Sequence, residues 1–172
     1  MSQMTVRDPV AMRRAMGRFA TGVAVITAQG GDGHPHGMTL NSLTSVSLDP
    51  PLLLVCFNEG ARTAEAVREA GRFAVSILSA RQEPIARRFA RRGEDHFAGL
   101  PLEFGGHQVP VVPDALAHLE CSVDREVVAG DHVVVFGAVD RLCERAGDPL
   151  LFVGGRFGDY VDRGEEPLPP WL

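Results

Sequence analysis

Residues Gly37 to Pro51, Gly-Met-Thr-Leu-Asn-Ser-Leu-Thr-Ser-Val-Ser-Leu-Asp-Pro-Pro, constrain the fold of this chain more than any other stretch. Met38, Leu40, Val46 and Leu48 fall at even positions, the period of a strand with one buried face. At Ser42 and Thr44 that face turns polar, and Leu43 points the other way. A row of small hydroxyl and amide side chains inside a strand pattern leaves backbone N–H groups uncovered and within reach of a flat polar ligand. The same pattern also fits a bulge or bend at a sheet edge.

The rest of the chain is punctuated in the same way, with 19 Gly and 12 Pro in 172 residues favouring short strands and turns over a helical bundle. Strand patterns occur at Val23–Ala28, His36–Leu40, Leu52–Phe57, Phe73–Leu78, Leu119–Asp124, Val133–Val139 and Leu150–Val153. Gly30-Gly31-Asp32-Gly33 joins the first two as a hairpin, and Gly130-Asp131 turns into Val133–Val139. Leu119–Asp124 alternates as a half-buried strand, whereas Val133–Val139 is apolar enough to be covered on both faces.

Three helices are predicted. The first opens with Asp8 as N-cap and Pro9 at the first helical position, carries Met12, Met16 and Phe19 on one stripe, and ends at Gly22. The second is capped by Thr63, runs to Ala70 and is closed by Gly71. The third begins near Pro84, after a Ser79–Gln82 capping box, with Ile85 and Phe89 on one face. Gly99–Pro113 reads as a long irregular excursion. About seven strands with peripheral helices predict a mainly β protein, a closed antiparallel barrel and not a parallel sheet. The whole chain, 1–172, reads as one domain, with an N-terminal helix over 8–22, the barrel over 23–161 and an extended Pro-rich tail over 162–172.

Several functions are disfavoured. A net charge of −5 argues against a nucleic-acid partner. The strongest apolar run, Leu52–Phe57, is far short of the ~20 residues a membrane span needs, and the N-terminus lacks the order of a signal peptide. Cys56, Cys121 and Cys143 are odd in number and widely spaced, so they read as reduced core thiols of a cytoplasmic protein and not as a metal site. His34-x-His36 has no third metal ligand nearby. No Rossmann fingerprint is present, so any nicotinamide nucleotide must bind outside a βαβ pocket.

Three places could carry chemistry. The polar interruption Thr39–Ser47 offers backbone amides to a ring. Asn58-Glu59-Gly60-Ala61-Arg62-Thr63 ends a buried strand and opens a helix, so free N–H groups, the helix dipole, Arg62 and the Thr63 hydroxyl would face an anion. A plain helix cap on a solvent loop is the alternative, and Glu59 is an awkward neighbour for a phosphate. His132 follows a tight turn and precedes a buried strand, a place also occupied by ordinary surface histidines. Arg87, Arg88, Arg91 and Arg92 form the solvated face of a helix or, alternatively, meet nucleotide phosphates or a partner protein.

Gly37–Pro51 resembles the signature of the small NAD(P)H-dependent flavin reductases that serve two-component flavin monooxygenases. The resemblance extends over most of the chain, through Met16–Thr27, Phe73–Ser79, Arg88-Phe89-Ala90, Leu119-Glu120-Cys121, Gly130-Asp131-His132 and Gly155-Arg156-Phe157. It implies an FMN-binding split β-barrel of Greek-key type, a homodimer with flavin sites near the subunit boundary, FMN or FAD as the flavin, and NADH or NADPH as hydride donor. Reduced flavin would pass to a separate monooxygenase.

On this resemblance the flavin ring lies against Met38, Thr39, Asn41, Ser42, Ser45, Val46 and Ser47. Its phosphate side follows Cys56, Phe57, Asn58, Arg62 and Thr63, His132 borders the nicotinamide, and Arg156 and Tyr160 close over the ligands. The chain departs from the family pattern at its phosphate loop, usually serine-rich, and at Phe157, where Tyr is more common. Two alternatives remain: the same barrel binding flavin without NAD(P)H turnover, and an oxidase of the pyridoxamine-phosphate type. The latter lacks an evident basic cluster for a substrate phosphate.

Overall fold

The computed structural model describes residues 8–93, 95–101, 103–162 and 164. Helix α1 (Pro9–Met16) starts as the sequence dictates: Pro9 is at the first position and the Asp8 carboxylate accepts from the Val10 N–H at 2.9 Å. It stops well before Gly22, because Gly17 closes the last turn onto the Ala15 and Arg13 carbonyls. Gly22 lies instead in a short strand, β1 (Thr21–Gly22). The expected stripe is left in solvent, with Met12, Met16 and Phe19 all more than half exposed.

Strands β2 (Ala24–Gln29) and β3 (Pro35–Leu40) form the expected hairpin, and β4 (Thr44–Leu48) pairs with β5 (Pro51–Asn58). Helix α2 (Arg62–Ala70) ends at Gly71 in the left-handed region, φ 64°. Then come β6 (Arg72–Ile77), a single 3₁₀ turn Ala80–Gln82 closed by the predicted capping box, and α3 (Glu83–Phe89). The excursion before residue 113 holds two short strands, β7 (Glu103–Phe104) and β8 (Pro110–Val111). β9 (Ala117–Ala129) and β10 (His132–Glu144), 13 residues each, are longer than the alternation predicts, and β11 (Leu151–Val153) and β12 (Arg156–Gly158) close the described chain.

Seven strands form one antiparallel sheet in the order β3-β2-β6-β9-β10-β5-β4, while β1-β11-β12 and β7-β8 are small separate sheets. The two edges of the large sheet, β3 and β4, are consecutive in sequence and joined only by Asn41–Leu43. Laid flat, six strand spacings would separate them by roughly 29 Å. Four Cα steps reach roughly 14 Å at most. The sheet must therefore curl until its edges approach, giving a barrel left split between β3 and β4. Bulges at Phe136/Gly137 and Val139/Arg141 on the β9–β10 ladder and at Val46 on β4 provide curvature.

The inward faces meet in one core. Ile26, Val55, Phe57, Phe73, Val75 and Val135 are fully buried, and Val67 of α2 plugs them from one end. On the outer side, Val23, Val25 and Leu78 pack beneath Ala86 and Phe89 of α3. β2 is thus buried on both faces.

Two further expectations fail for identifiable reasons. Val46 and Leu48 do not share the buried face of Met38 and Leu40: β4 is a separate edge strand, and the two side chains are 43% and 89% exposed. In Leu119–Asp124 the polar Glu120 is the more buried partner, because both its oxygens accept backbone N–H groups, of Gly106 and His107, at 2.8 Å. Among the described residues no helix is long and apolar enough to cross a membrane.

Candidate functional site

One cleft of about 620 Å³ opens where three segments meet: β3 from Pro35 to Thr39, the β5–α2 junction from Asn58 to Thr63, and the end of α3 with the chain that follows it. That volume suits a drug-sized or nucleotide-sized ligand. Among the described lining residues are the charged side chains Arg62, Arg91, Arg92, Glu59 and Asp95.

The β5–α2 junction presents an uncapped helix start to the cleft. The helix starts at Arg62, with Ala61 as its N-cap in extended conformation and no side chain capping it. Thr63 is therefore not the cap predicted for it; it is a buried residue of the first turn. The uncapped first-turn N–H groups and the positive end of the helix dipole are left for a ligand. Ala61 donates to the Asn58 carbonyl at 3.2 Å, which folds the loop into a tight corner.

His132 is bolted to this junction. It pairs across the ladder with Asn58, and the Glu59 N–H donates to the Asp131 carbonyl at 3.0 Å. Its Nδ1 lies 2.7 Å from the Asp131 carboxylate, which holds that carboxyl below the usual carboxylate range. A carboxylate can only accept, so Nδ1 carries the proton and Nε2 faces away from it.

The cleft brings together Met38, Thr39, Asn58, Arg62 and Thr63 of the predicted set, with His132 beside Asn58. The Thr39 hydroxyl is committed, donating to the Ala86 carbonyl at 2.7 Å. The remaining predicted residues do not line it. The Ser42 hydroxyl both donates to the Cys56 carbonyl and accepts from the Cys56 N–H, each at 3.1 Å, pinning the β3–β4 link to β5. The Asn41 amide donates to the Thr21 hydroxyl. Phe57 is wholly in the core. Ser45, Val46 and Ser47 lie on β4, which pairs only with β5 in the sheet and so keeps one row of amides unpaired along the split. Arg156 is exposed on β12; its neighbour Phe157 packs on Phe152 with centroids 5.5 Å apart and lies under Arg87 at 5.0 Å. Tyr160 is 52% exposed.

The cleft also contains residues the sequence pattern passed over. His36 borders it, 3.3 Å from the Asp32 carboxylate. His96 and Phe97 form its far wall with Arg91 and Arg92. Of the four arginines around α3, Arg87 is paired with Glu83 in the manner of a solvated helix face, while Arg91 and Arg92 turn to the cleft. Gly37, a glycine inside a strand, was the available signal for this wall, since it marks a close approach. Among the described residues no metal-binding group of three or more His, Cys, Asp or Glu is present.

Residues 16–160 match the family model described as a flavin reductase like domain. The chain is 48% identical over 134 residues to a probable flavin reductase of Rhizobium meliloti, of which it spans only 43%, while 78% of this chain is aligned. It is 45% identical over 148 residues to the NADH-type FMN reductase SmoA of Agrobacterium fabrum, covering 86% of this chain and 84% of that one. It is 46% identical to the reductase subunit of stachydrine N-demethylase from Rhizobium meliloti, covering 91% and 68%. Among solved structures, an NADH:FAD oxidoreductase of Streptomyces globisporus in complex with NAD and FAD fragments superposes with a TM-score of 0.89 at 38% identity, covering 96% of this chain and all of that one.

Proposed function

The chain belongs to the flavin reductase-like family, and from that premise we propose that it is an NAD(P)H:flavin oxidoreductase that reduces FMN or FAD and supplies the reduced flavin to a separate monooxygenase. The observation that carries this reading is the coupling of an uncapped, Arg62-bearing helix start to His132 on a neighbouring strand, at the edge of a nucleotide-sized cleft.

The residues fit a flavin phosphate. The first-turn N–H groups of α2, the Arg62 guanidinium and the Thr63 hydroxyl supply donors and positive charge at one end of the cleft. The flavin, when bound, supplies hydride acceptance and later release of the electrons to oxygen chemistry elsewhere. The outward-facing amides of the β4 edge strand, with Asn41 and Ser42 holding the link behind them, offer donors where negative charge develops on reduction. His132 holds Nδ1–H on Asp131 and keeps Nε2 for the nicotinamide carboxamide, a positioning role that needs no proton transfer. Cys56 and Phe57 act through the backbone and core of β5, and Arg156 and Tyr160 close the site from the C-terminal side.

On the same reading the chain is one cytoplasmic domain working as a homodimer. The exposed Met12, Met16 and Phe19 of α1 and Val46 and Leu48 of β4 are the apolar surfaces such a dimer would cover. The apolar tail Leu168–Leu172, also read as a docking segment, lies outside the described residues. Light scattering at micromolar concentration should return twice the chain mass of 18.5 kDa; a clean monomer removes the dimer. The activity is tested by mixing the protein anaerobically with FMN or FAD and then NADH or NADPH. Loss of the oxidised flavin's visible absorbance is expected. Tight flavin binding without that loss would identify a binding module instead.

A further inference from the structure

Arg91, Arg92, His96 and Phe97 line one wall of the cleft, and that wall is held from the inside. Phe89 and Phe97 meet edge to face with centroids 5.0 Å apart, and both press on the bare backbone of Gly37. Between them and the opening sits His96, its ring 5.3 Å from that of Phe89. Its Nδ1 lies 3.0 Å from the Gly37 carbonyl on β3, and its Nε2 lies 2.8 Å from the Arg91 carbonyl just past α3.

A carbonyl oxygen accepts and never donates, so each of these contacts needs an N–H on the ring. Neutral imidazole carries one N–H and imidazolium carries two. We propose that His96 is a positioning residue whose imidazolium form staples the 91–97 segment to β3, and so sets Arg91 and Arg92 over the cleft. Loss of the ring proton leaves one carbonyl without its donor and loosens the wall. Among the described residues the charged and titratable groups around it are Arg91, Arg92 and Asp95 on its own segment, which also carries Glu94 in sequence, Arg88 on α3 bonded to the Ala98 carbonyl, His36 with Asp32 on the β2–β3 side, and Glu59 and Arg62 across the cleft. Asp95 is partly engaged, accepting the Phe97 N–H at 3.0 Å.

The proposal rests on the flavin reading only for the identity of the ligand, so its first test uses none. Hydrogen exchange of the ligand-free protein, corrected for intrinsic rates, should show peptides over residues 90–101 losing protection as pH rises through the histidine range, about 5 to 8. His96→Arg, which keeps N–H donors at every pH, should hold protection flat. His96→Leu should lack it throughout, while β9–β10 peptides stay protected in all three proteins and report an intact fold. FAD, whose diphosphate keeps its charge across this range, should bind the parent about two- to tenfold more weakly at the high-pH end, the effect of one hydrogen bond, and His96→Arg without that drop. Parent protection that is flat with pH, or a His96→Leu segment as protected as the parent, overturns the staple. A pH-dependent segment in a protein that binds no flavin supports the staple and overturns the flavin reading.

Discussion

Gly37→Ala tests whether the cleft wall depends on a missing side chain. A Cβ at this position would lie 2.7 Å and 3.0 Å from Cε1 and Cδ1 of Phe89, and 3.2 Å from Cζ of Phe97. Carbon atoms rest at about 3.5–4.0 Å, so the Phe89 ring must retreat by roughly 0.8 Å or more. It cannot swing out, being 1% exposed and packed in one cluster with Leu78 and Ala86. The strain therefore moves α3 and the segment behind it. Overpacking of this kind costs about 1–3 kcal/mol, and the stiffer unfolded chain returns about 0.4–1 kcal/mol, leaving a net loss of about 1–2 kcal/mol. For a protein of this size the melting temperature should fall by about 2–8 °C. Gly22→Ala is the matched control, since nothing lies within 4 Å of its added Cβ, and it should melt within about 1–2 °C of the parent. Scanning calorimetry with flavin titrations on all three proteins measures both consequences. A Gly37→Ala protein that melts as high as the parent refutes the packing argument. One that is destabilised but binds FMN with unchanged affinity refutes the link between this contact and the cleft.

Arg62→Ala should weaken FMN binding by about ten- to a hundredfold, the loss of a charge-assisted contact of roughly 1.5–3 kcal/mol, and leave riboflavin indifferent; equal losses for both ligands would make Arg62 structural. His132→Ala should impair NADH affinity or the stopped-flow reduction rate while flavin affinity holds, and a variant matching the parent in both would remove His132 from the site. Burial, with the charge of Arg145 adding to it, pushes the His118 pKa below the ordinary histidine value, and its Nδ1 is 3.2 Å from the Ser76 hydroxyl. The unfolded chain therefore takes up the proton first, and stability present above about pH 6.5 should decline as pH falls below it. His118→Asn should flatten that decline in melting temperature, and an equal slope in the two proteins would exclude His118 as its source.

The local signals that the structure follows are those that act through the backbone. Asp8-Pro9, Gly71 and the Ser79–Gln82 box each satisfy terminal N–H or C=O groups within a few residues, so their effect is readable from neighbours alone. Thr63 misled because a hydroxyl residue near a helix start looks like a cap, whereas the chain turns two residues earlier at Ala61. The burial of Glu120 was invisible because its partners, the amides of Gly106 and His107, arrive from an irregular loop. The β3–β4 break was half legible: the polar row at Asn41–Thr44 marked a change, but alternation could not tell one strand with a polar face from two strands at opposite sheet edges. The far wall of the cleft carried almost no pattern. His96 matters through two carbonyls distant in sequence, at Gly37 and Arg91, and no spacing rule connects them.

The β9–β10 hairpin looks like the natural place to graft a tag or an extra domain, since it is long, exposed at its tip and turns on the two residues Gly130 and Asp131. Exposed tips usually accept insertions because their backbone answers to nothing else. Here the Asp131 carbonyl takes the Glu59 N–H, and the next residue is in register with Asn58. An insertion at this tip would pull on the corner that opens α2, and so disturb a cleft wall it never touches. The Gly30–Gly33 turn is no freer, its Gly31 N–H being held by Glu69 of α2 at 3.2 Å. The β11–β12 turn, Gly154-Gly155, is tied in its turn, the Gly154 N–H donating to the Gly17 carbonyl at the end of α1 at 2.7 Å.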